Sequence, residues 1–139
     1  MIKNKANATW EGDIKSGQGN MKVGSGAFDT SYSFGTRFEG KKGTNPEELI
    51  GAAHAGCFSM ALSLELTEAG HAPDSIETEA DVSLDPDSLS ISDIKLTTKV
   101  SAPDIDDEVF QEIAEGAKKN CPVSKALAGV DISLDAALV

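Results

Sequence analysis

The chain has 139 residues and a mass of 14.5 kDa, a size that predicts one domain with a hydrophobic core of its own. Acidic residues outnumber basic ones by 23 to 12, so the net charge is −11, which argues against nucleic acid or an anionic membrane surface as the partner and favours small neutral substrates. The first residues, MIKNKANATWEGD, have no signal-peptide or transit-peptide character, so we expect a cytoplasmic protein.

The first part of the chain predicts extended structure. From about residue 6 to residue 39, short runs of alternating apolar and polar residues are separated by turn residues, a pattern typical of an antiparallel meander. Arg37 is the only arginine of the chain and falls between Phe34 and Phe38 in the last of these runs. We therefore expect Arg37 on a strand.

A long central helix is predicted from about residue 46 to residue 69. Asn45 is a good N-cap, Pro46 suits the first helical position, and Glu47 and Glu48 favour the positive end of the helix dipole. Gly70 is the expected stop.

The middle of this helix, residues 49–64, carries no charged side chain, which predicts a helix that is buried on every side. Small residues at Ala52, Ala55 and Gly56 would let another backbone approach closely. We therefore expect a second copy of the helix to pack here across a dimer interface. The alternative is that a sheet and the second helix of the same chain cover it.

The rest of the chain predicts a β-hairpin at about 75–102, helices at about 104–119 and 122–128, and a final strand at about 130–138. With the length of the chain, these elements are expected to form a single domain over residues 1–139.

The two cysteines, Cys57 and Cys121, lie 64 positions apart without the spacing of a zinc finger or a C-x-x-C motif. A reducing compartment disfavours a permanent disulfide, so they are either two ordinary buried thiols or a redox couple. Cys57 lies within an apolar helix and should be inert unless a cation lies beside it. Arg37 is the expected cation, because a guanidinium keeps its charge when buried. The alternative for Arg37 is an ordinary ion pair at a sheet edge.

Cys121 precedes Pro122 at a predicted helix start, where the dipole and free amide groups stabilise a thiolate. Its alternative is an N-cap thiol without a role. His54 lies three residues before Cys57, which allows a cysteine-hydrolase pair. No third orienting group follows in the sequence, so we predict that His54 is a packed, hydrogen-bonded core residue. A metal site built from His54 and the two cysteines lacks a fourth ligand and is disfavoured.

Three stretches resemble the osmotically inducible protein C (OsmC) family: FGTRFEGKKGTNPEELIGAAHAGCFSMALS from Phe34, CPVSKAL from Cys121 and ATWEGDIKSGQG from Ala8. The similarity covers almost the whole chain and is nearer to the OsmC group than to the sister group of organic hydroperoxide resistance (Ohr) proteins. It implies an intertwined α+β homodimer with antiparallel β-sheets packed around long central helices. The activity that it implies is a thiol-dependent peroxidase acting on organic hydroperoxides.

By position, the resemblance implies that Cys57 is the peroxidatic thiol, Cys121 the resolving thiol, Arg37 the residue that stabilises the thiolate and Glu47 the residue that orients Arg37. Gly56 stands where the family more often has alanine. The implied cycle forms a sulfenic acid on Cys57, closes a disulfide with Cys121 and needs an external dithiol, such as a lipoyl group, but no metal or other cofactor.

The helix geometry adds one expectation of its own. Glu47 and Cys57 are ten residues apart on one helix, which separates them by about 15 Å along its axis, so Glu47 should serve the Cys57 of a second copy. Phe58 and Phe38 are the expected apolar walls for an alkyl tail.

The alternative function is a non-catalytic dimeric stress or binding protein whose buried thiols are structural.

Overall fold

A computed structural model describes residues 1–139 and has mixed α+β architecture, as predicted. The elements in chain order are β1 Ala6–Glu11, β2 Gln18–Val23, β3 Asp29–Tyr32, α1 Phe34–Phe38, α2 Pro46–Glu68, β4 Ser75–Asp85, β5 Ser90–Ser101, α3 Asp107–Asn120, α4 Pro122–Ala126 and β6 Asp131–Leu138. They fall into two compact units, Met1–Leu49 and Ile50–Val139. That the whole chain forms one domain stays a prediction.

The N-terminal unit contains an antiparallel sheet in the order β1-β2-β3. Gly19 on β2 pairs with Trp10 on β1 and with Tyr32 on β3. A Cβ atom at Gly19 would lie 2.5 Å from the Tyr32 ring and 2.6 Å from the Trp10 ring. Glycine at this position therefore lets the two aromatic rings meet over β2, with their centroids 5.5 Å apart.

The segment that contains Arg37 is helical, so the prediction that Arg37 lies on a strand is wrong. Ser33 and Thr36 form a capping box, in which Ser33 Oγ accepts from the Thr36 N–H at 3.2 Å and the Ser33 N–H donates to Thr36 Oγ1 at 2.9 Å. These reciprocal hydrogen bonds start α1 within a run of residues whose alternation resembles that of a strand.

Helix α2 begins at Pro46, and Asn45 caps it. Asn45 Oδ1 accepts from the Glu48 N–H at 2.8 Å, while Asn45 Nδ2 donates to the carbonyl of Thr36 at 3.0 Å. The same side chain therefore fixes the start of α2 and ties it to α1. At the other end the backbone takes a positive φ of 87° at Gly70, which ends the helix.

The C-terminal unit contains a second sheet, in the order β4-β5-β6. β4 and β5 form the expected antiparallel hairpin, whereas β6 runs parallel to β5. The prediction of antiparallel sheets is therefore wrong for this one strand pair. The physical reason is that α3 and α4 lie between β5 and β6 in the chain, and a connection of this length allows a crossover to a parallel strand.

The buried hydrophobic core lies entirely in the C-terminal unit, and no apolar side chain of residues 1–49 is fully buried in it. The core residues are Phe58, Leu62 and Leu66 of α2, Ile94, Leu96 and Val100 of β5, Phe110, Ala114 and Ala117 of α3, and Cys121. By length and composition alone α2 could cross a membrane, but its inner face forms the centre of this core.

The opposite face of α2 is exposed in the single chain, which contradicts the alternative that a sheet and a second helix of the same chain cover it, and burial of this face by a second copy stays a prediction. We call the exposed residues Ala52, Gly56, Met60 and Leu64 the outer stripe of α2. Met60 is 77% and Leu64 59% exposed, and a Cβ atom at Gly56 would meet nothing within 4 Å. Residues at intervals of four share one face of a helix, so the outer stripe is a continuous apolar surface.

Candidate thiol site

The structure brings the two cysteines together. Cys57 on α2 and Cys121 at the start of α4 are free thiols whose Sγ atoms lie 2.8 Å apart. A disulfide bond is about 2.05 Å long, so the pair needs only a small side-chain movement to form one. Of the two alternatives that the sequence left open, this proximity favours a redox couple.

The surroundings of Cys57 disfavour its charged form. Burial raises the pKa of the Cys57 thiol above its ordinary value, and the hydrogen bond between the two thiols raises it further. The backbone N–H of Val123, in the first turn of α4, lowers the same pKa by a smaller amount. Within its own unit, Cys57 therefore has no cation that would make it a ready thiolate.

That the start of α4 stabilises a Cys121 thiolate stays a prediction. Cys121 is the N-cap residue, but its side chain makes no capping hydrogen bond, and the Val123 amide acts on Cys57 instead. Lys118 is also engaged elsewhere, since its Nζ lies 2.7 Å from Glu115 Oε1 and donates to the carbonyl of Ile132 at 3.3 Å. Lys118 is thus used within α3 and by β6.

His54 is a packed core residue, as predicted. It is fully buried, and its Nε2 lies 2.8 Å from Ser124 Oγ on α4, while its Nδ1 has no partner. Burial lowers the pKa of His54, which keeps the imidazole neutral. Because its hydrogen bond goes to Ser124 and not to Cys57, His54 is poorly placed as the base of a hydrolase. No group of three His, Cys, Asp or Glu side chains that could hold a metal ion occurs in the chain.

The N-terminal unit contains the second predicted pair, Arg37 and Glu47. Arg37 Nη2 lies 2.6 Å from Glu47 Oε1, and Arg37 Nε donates to both carboxylate oxygens at 3.2 Å. The Glu47 residue is 7% exposed, and the guanidinium lies 5.5 Å from the centre of the Phe38 ring. The carboxylate holds the guanidinium in one orientation, which is the geometry expected of an orienting glutamate. Glu48 is exposed and has no part in this pair.

An aromatic cleft of about 210 Å³ lies next to this guanidinium. It is lined by Trp10, Ile14, Tyr32, Ser33, Phe34, Arg37 and Phe38. Phe38 is therefore a wall of this cleft, whereas Phe58 is fully buried in the core and does not line this cleft. That Phe58 forms an apolar wall of the substrate site stays a prediction. Trp10 and Tyr32 were missed because they come from different strands. The sequence signal for them is one aromatic residue in each of the two strands that flank Gly19.

Comparisons with known proteins show which family the chain resembles. The profile of the family described as OsmC-like protein matches residues 39–135. The chain is 55% identical to peroxiredoxin OsmC of Escherichia coli (strain K12) over 137 residues, which cover 96% of this chain and 95% of that protein. It is 42% identical to the organic hydroperoxide resistance protein OhrB of Bacillus subtilis (strain 168) over 99 residues, 70% of this chain and 72% of that one.

Solved structures agree with the fold. The crystal structure of OhrB of Bacillus subtilis superposes with a TM-score of 0.67 and 31% identity, covering 95% of this chain and 97% of that chain. An OsmC-like protein from Mycoplasma pneumoniae superposes with a TM-score of 0.75 over 99% of this chain and 98% of its own, and its 16% identity carries the likeness in fold alone.

Proposed function

The chain belongs to the OsmC-like protein family, as its motifs predicted, and from this premise we propose that it is a thiol-dependent peroxidase that reduces organic hydroperoxides to alcohols. The names of its relatives, a peroxiredoxin and organic hydroperoxide resistance proteins, support this function. The observation that carries it is the separation of 2.8 Å between the free thiols of Cys57 and Cys121. Two thiols at this distance can give up two electrons by forming a disulfide and return to the dithiol state on reduction.

In the first step, the Cys57 thiolate attacks the distal oxygen of the hydroperoxide. The O–O bond breaks, the oxygen that is attacked stays on sulfur as a sulfenic acid, and the alkoxide leaves and takes up a proton to become the alcohol. Since burial raises the pKa of Cys57, this step needs a cation beside the sulfur. Arg37 is the proposed cation, because it stabilises both the reacting thiolate and the departing alkoxide.

In the second step, Cys121 condenses with the sulfenic acid. The Cys121 sulfur attacks the Cys57 sulfur, the S–O bond breaks, and the hydroxide leaves as water with the thiol proton. An external dithiol then reopens the disulfide by exchange, and a lipoyl dithiol is our candidate. This cycle uses only sulfur chemistry and requires no metal, flavin or haem.

We propose that the working enzyme is a homodimer in which each site combines two chains. Glu47 holds Arg37, and ten residues separate Glu47 from Cys57 along α2, so we assign Arg37 and Glu47 of one chain to Cys57 of the other. Two features of the lone chain support this assembly. The outer stripe of α2 is exposed, and residues 1–49 bury no apolar side chain fully. Apolar surfaces of this kind are typical of an obligate interface.

The aromatic cleft is the proposed seat of the substrate's organic tail. It lies next to Arg37, and most of its lining is aromatic or aliphatic, which suits a bulky alkyl or aryl group better than hydrogen peroxide. The cytoplasm is the proposed compartment, where a disulfide of this kind would be opened again after each turnover.

Mass spectrometry tests the cycle directly. The reduced protein is treated with one equivalent of cumene hydroperoxide and is weighed both intact and after digestion. We expect the loss of two hydrogens and a Cys57–Cys121 disulfide. Cys57→Ser should abolish turnover, and Cys121→Ser should leave a sulfenic acid on Cys57 that dimedone traps. Two untouched thiols in the wild-type protein would refute the proposal.

The raised pKa of Cys57 also favours a second candidate function, a non-catalytic dimeric stress or binding protein with structural thiols. Alkylation at mildly acidic pH separates the two candidates. A peroxidase with Arg37 beside the sulfur reacts rapidly with iodoacetamide at pH 6, because its thiolate persists there. An inert thiol reacts slowly at this pH and needs a strongly alkaline solution.

A further inference from the structure

Helices α2 and α4 contact each other at two points with matched spacing. His54 Nε2 lies 2.8 Å from Ser124 Oγ, and Cys57 Sγ lies 2.8 Å from Cys121 Sγ. On each side the two contacting residues are three positions apart: His54 and Cys57 share one face of α2, and Cys121 is the N-cap residue of α4, three positions before Ser124. The two contacts therefore form one antiparallel seam, with the histidine and serine at one end and the thiols at the other.

Only one end of this seam changes during a redox cycle. The sulfur pair passes from thiols to a disulfide, whereas an imidazole and a hydroxyl group keep their chemistry throughout. The residue His54 is 0% and Ser124 7% exposed, so water does not compete for their hydrogen bond. A buried hydrogen bond is costly to break, because both partners would be left unsatisfied. This contact can hold α4 against α2 while the sulfurs react.

The unpartnered nitrogen of His54 fixes the direction of the bond. If Nδ1 carried the proton, it would be a buried N–H donor without an acceptor, which costs more than an unpaired lone pair. The favoured tautomer therefore carries its proton on Nε2 and donates it to Ser124 Oγ. A protonated imidazole would have the same orphan donor, so the ring stays neutral in this position.

We propose that His54 and Ser124 are positioning residues that hold Cys121 within reach of Cys57 while the disulfide closes. The sulfenic acid that closes is the one in the proposed function, on which this inference rests. Closure forms the S–S bond, breaks the S–O bond and releases water made from the hydroxide and the Cys121 thiol proton. Without the seam, α4 separates from α2, the sulfenic acid survives longer, and a second hydroperoxide oxidises it to the sulfinic acid.

Ellman's reagent measures closure without a peroxide. Cys57 is the more exposed thiol, so its attack releases the first thionitrobenzoate, and closure by Cys121 releases the second. For Ser124→Ala we expect the first release to stay within two-fold of the wild type and the second to slow on the order of ten-fold. Ser124→Thr keeps the hydroxyl and should restore the second rate, whereas Ser124→Val has the shape of threonine without it and should close slowly.

Ser59→Ala is the matched control. It also removes one hydrogen bond of α2 close to Cys57, the 2.8 Å bond from Ser59 Oγ to Thr78 Oγ1, but that bond leads to β4 instead of α4. Both release rates should remain those of the wild type in Ser59→Ala. If the seam had a purely structural role, the second release would slow alike in Ser59→Ala and Ser124→Ala, in proportion to their loss of thermal stability. That result would overturn the inference. A second release at the wild-type rate in both Ser124→Ala and Ser124→Val would overturn it as well.

A peroxide arm links the seam to the proposed function. With a ten-fold excess of cumene hydroperoxide, Ser124→Ala should accumulate several times more Cys57 sulfinic acid than Ser59→Ala. If the wild-type protein closes its disulfide with Ellman's reagent in the seam-dependent way but is inert to every hydroperoxide, the proposed peroxidase fails while the positioning role stands. If it reduces hydroperoxides but Ser124→Ala closes the disulfide at the wild-type rate, the positioning role fails while the proposed peroxidase stands.

Discussion

The pair of Arg37 and Glu47 gives the sharpest test of the proposed chemistry. Glu47→Gln keeps the shape of the side chain and one carbonyl oxygen, which can still accept from Arg37 Nη2, the contact of 2.6 Å. The amide nitrogen of glutamine cannot accept from Arg37 Nε, and the negative charge is gone. At least one charge-assisted hydrogen bond is lost, which is worth about 1.5–3 kcal/mol.

This loss converts into a rate. If Arg37 stabilises the thiolate and the departing alkoxide only when Glu47 orients it, the missing energy appears in the barrier, and about 1.4 kcal/mol corresponds to ten-fold. We therefore expect kcat/KM for cumene hydroperoxide to fall about 10- to 100-fold in Glu47→Gln. The assay follows hydroperoxide consumption with an excess of a lipoyl dithiol, together with a single-turnover measurement of sulfenic acid formation.

Glu48→Gln is the control, since Glu48 is the next residue in the first turn of α2 but is exposed. Both substitutions remove the same favourable interaction with the helix dipole, about 0.3–1 kcal/mol, so a general effect on the helix cancels in the comparison. Glu48→Gln should change kcat/KM less than two-fold. Equal rates in the two variants would refute the assignment of Glu47 as the residue that orients Arg37.

Three further outcomes are expected. Leu64→Glu, in the outer stripe of α2, should yield monomers in light scattering after size exclusion, and a dimeric Leu64→Glu would contradict the proposed interface. The control Leu89→Glu, at a more exposed leucine in the β4–β5 turn, should stay dimeric. Burial raises the pKa of Cys57, so in Arg37→Ala the midpoint of the pH dependence of Cys57 alkylation by iodoacetamide should lie above the ordinary cysteine value. In the wild type this midpoint should lie below that value, and identical midpoints in the two proteins would count against Arg37. Trp10→Ala opens the aromatic cleft and should lower kcat/KM for cumene hydroperoxide about ten-fold more than for hydrogen peroxide, whereas an equal loss for both would place the organic tail elsewhere.

The start of α2 could be predicted from the sequence because its causes are local. The cap by Asn45 and the fixed φ of Pro46 act within four residues, and no tertiary contact is needed to recognise them. The helical state of Arg37 is local as well, but the capping box of Ser33 and Thr36 is hidden in alternating residues that favour a strand. In this segment the reciprocal hydrogen bonds of the capping box favour a helix more strongly than the alternating residues favour a strand.

The sulfur pair could not be predicted from the residues alone. Cys57 and Cys121 are 64 positions apart, and their contact depends on how α4 docks on α2. Neither spacing nor composition encodes that docking, so only the resemblance to a family implied the pairing. For the same reason the sequence did not predict that the Val123 amide acts on Cys57, nor that residues of β1, β3 and α1 form the aromatic cleft. Each of these features joins elements that are distant in the chain.

The parallel pairing of β6 with β5 has a consequence for the nascent chain. The connection between these strands carries Cys121, so we expect it to reach its final position only after β6 has joined the sheet. On the ribosome, Cys57 is synthesised 64 residues ahead of its partner. Until Cys121 has been synthesised, a sulfenic acid on Cys57 of the nascent chain cannot be converted into the Cys57–Cys121 disulfide.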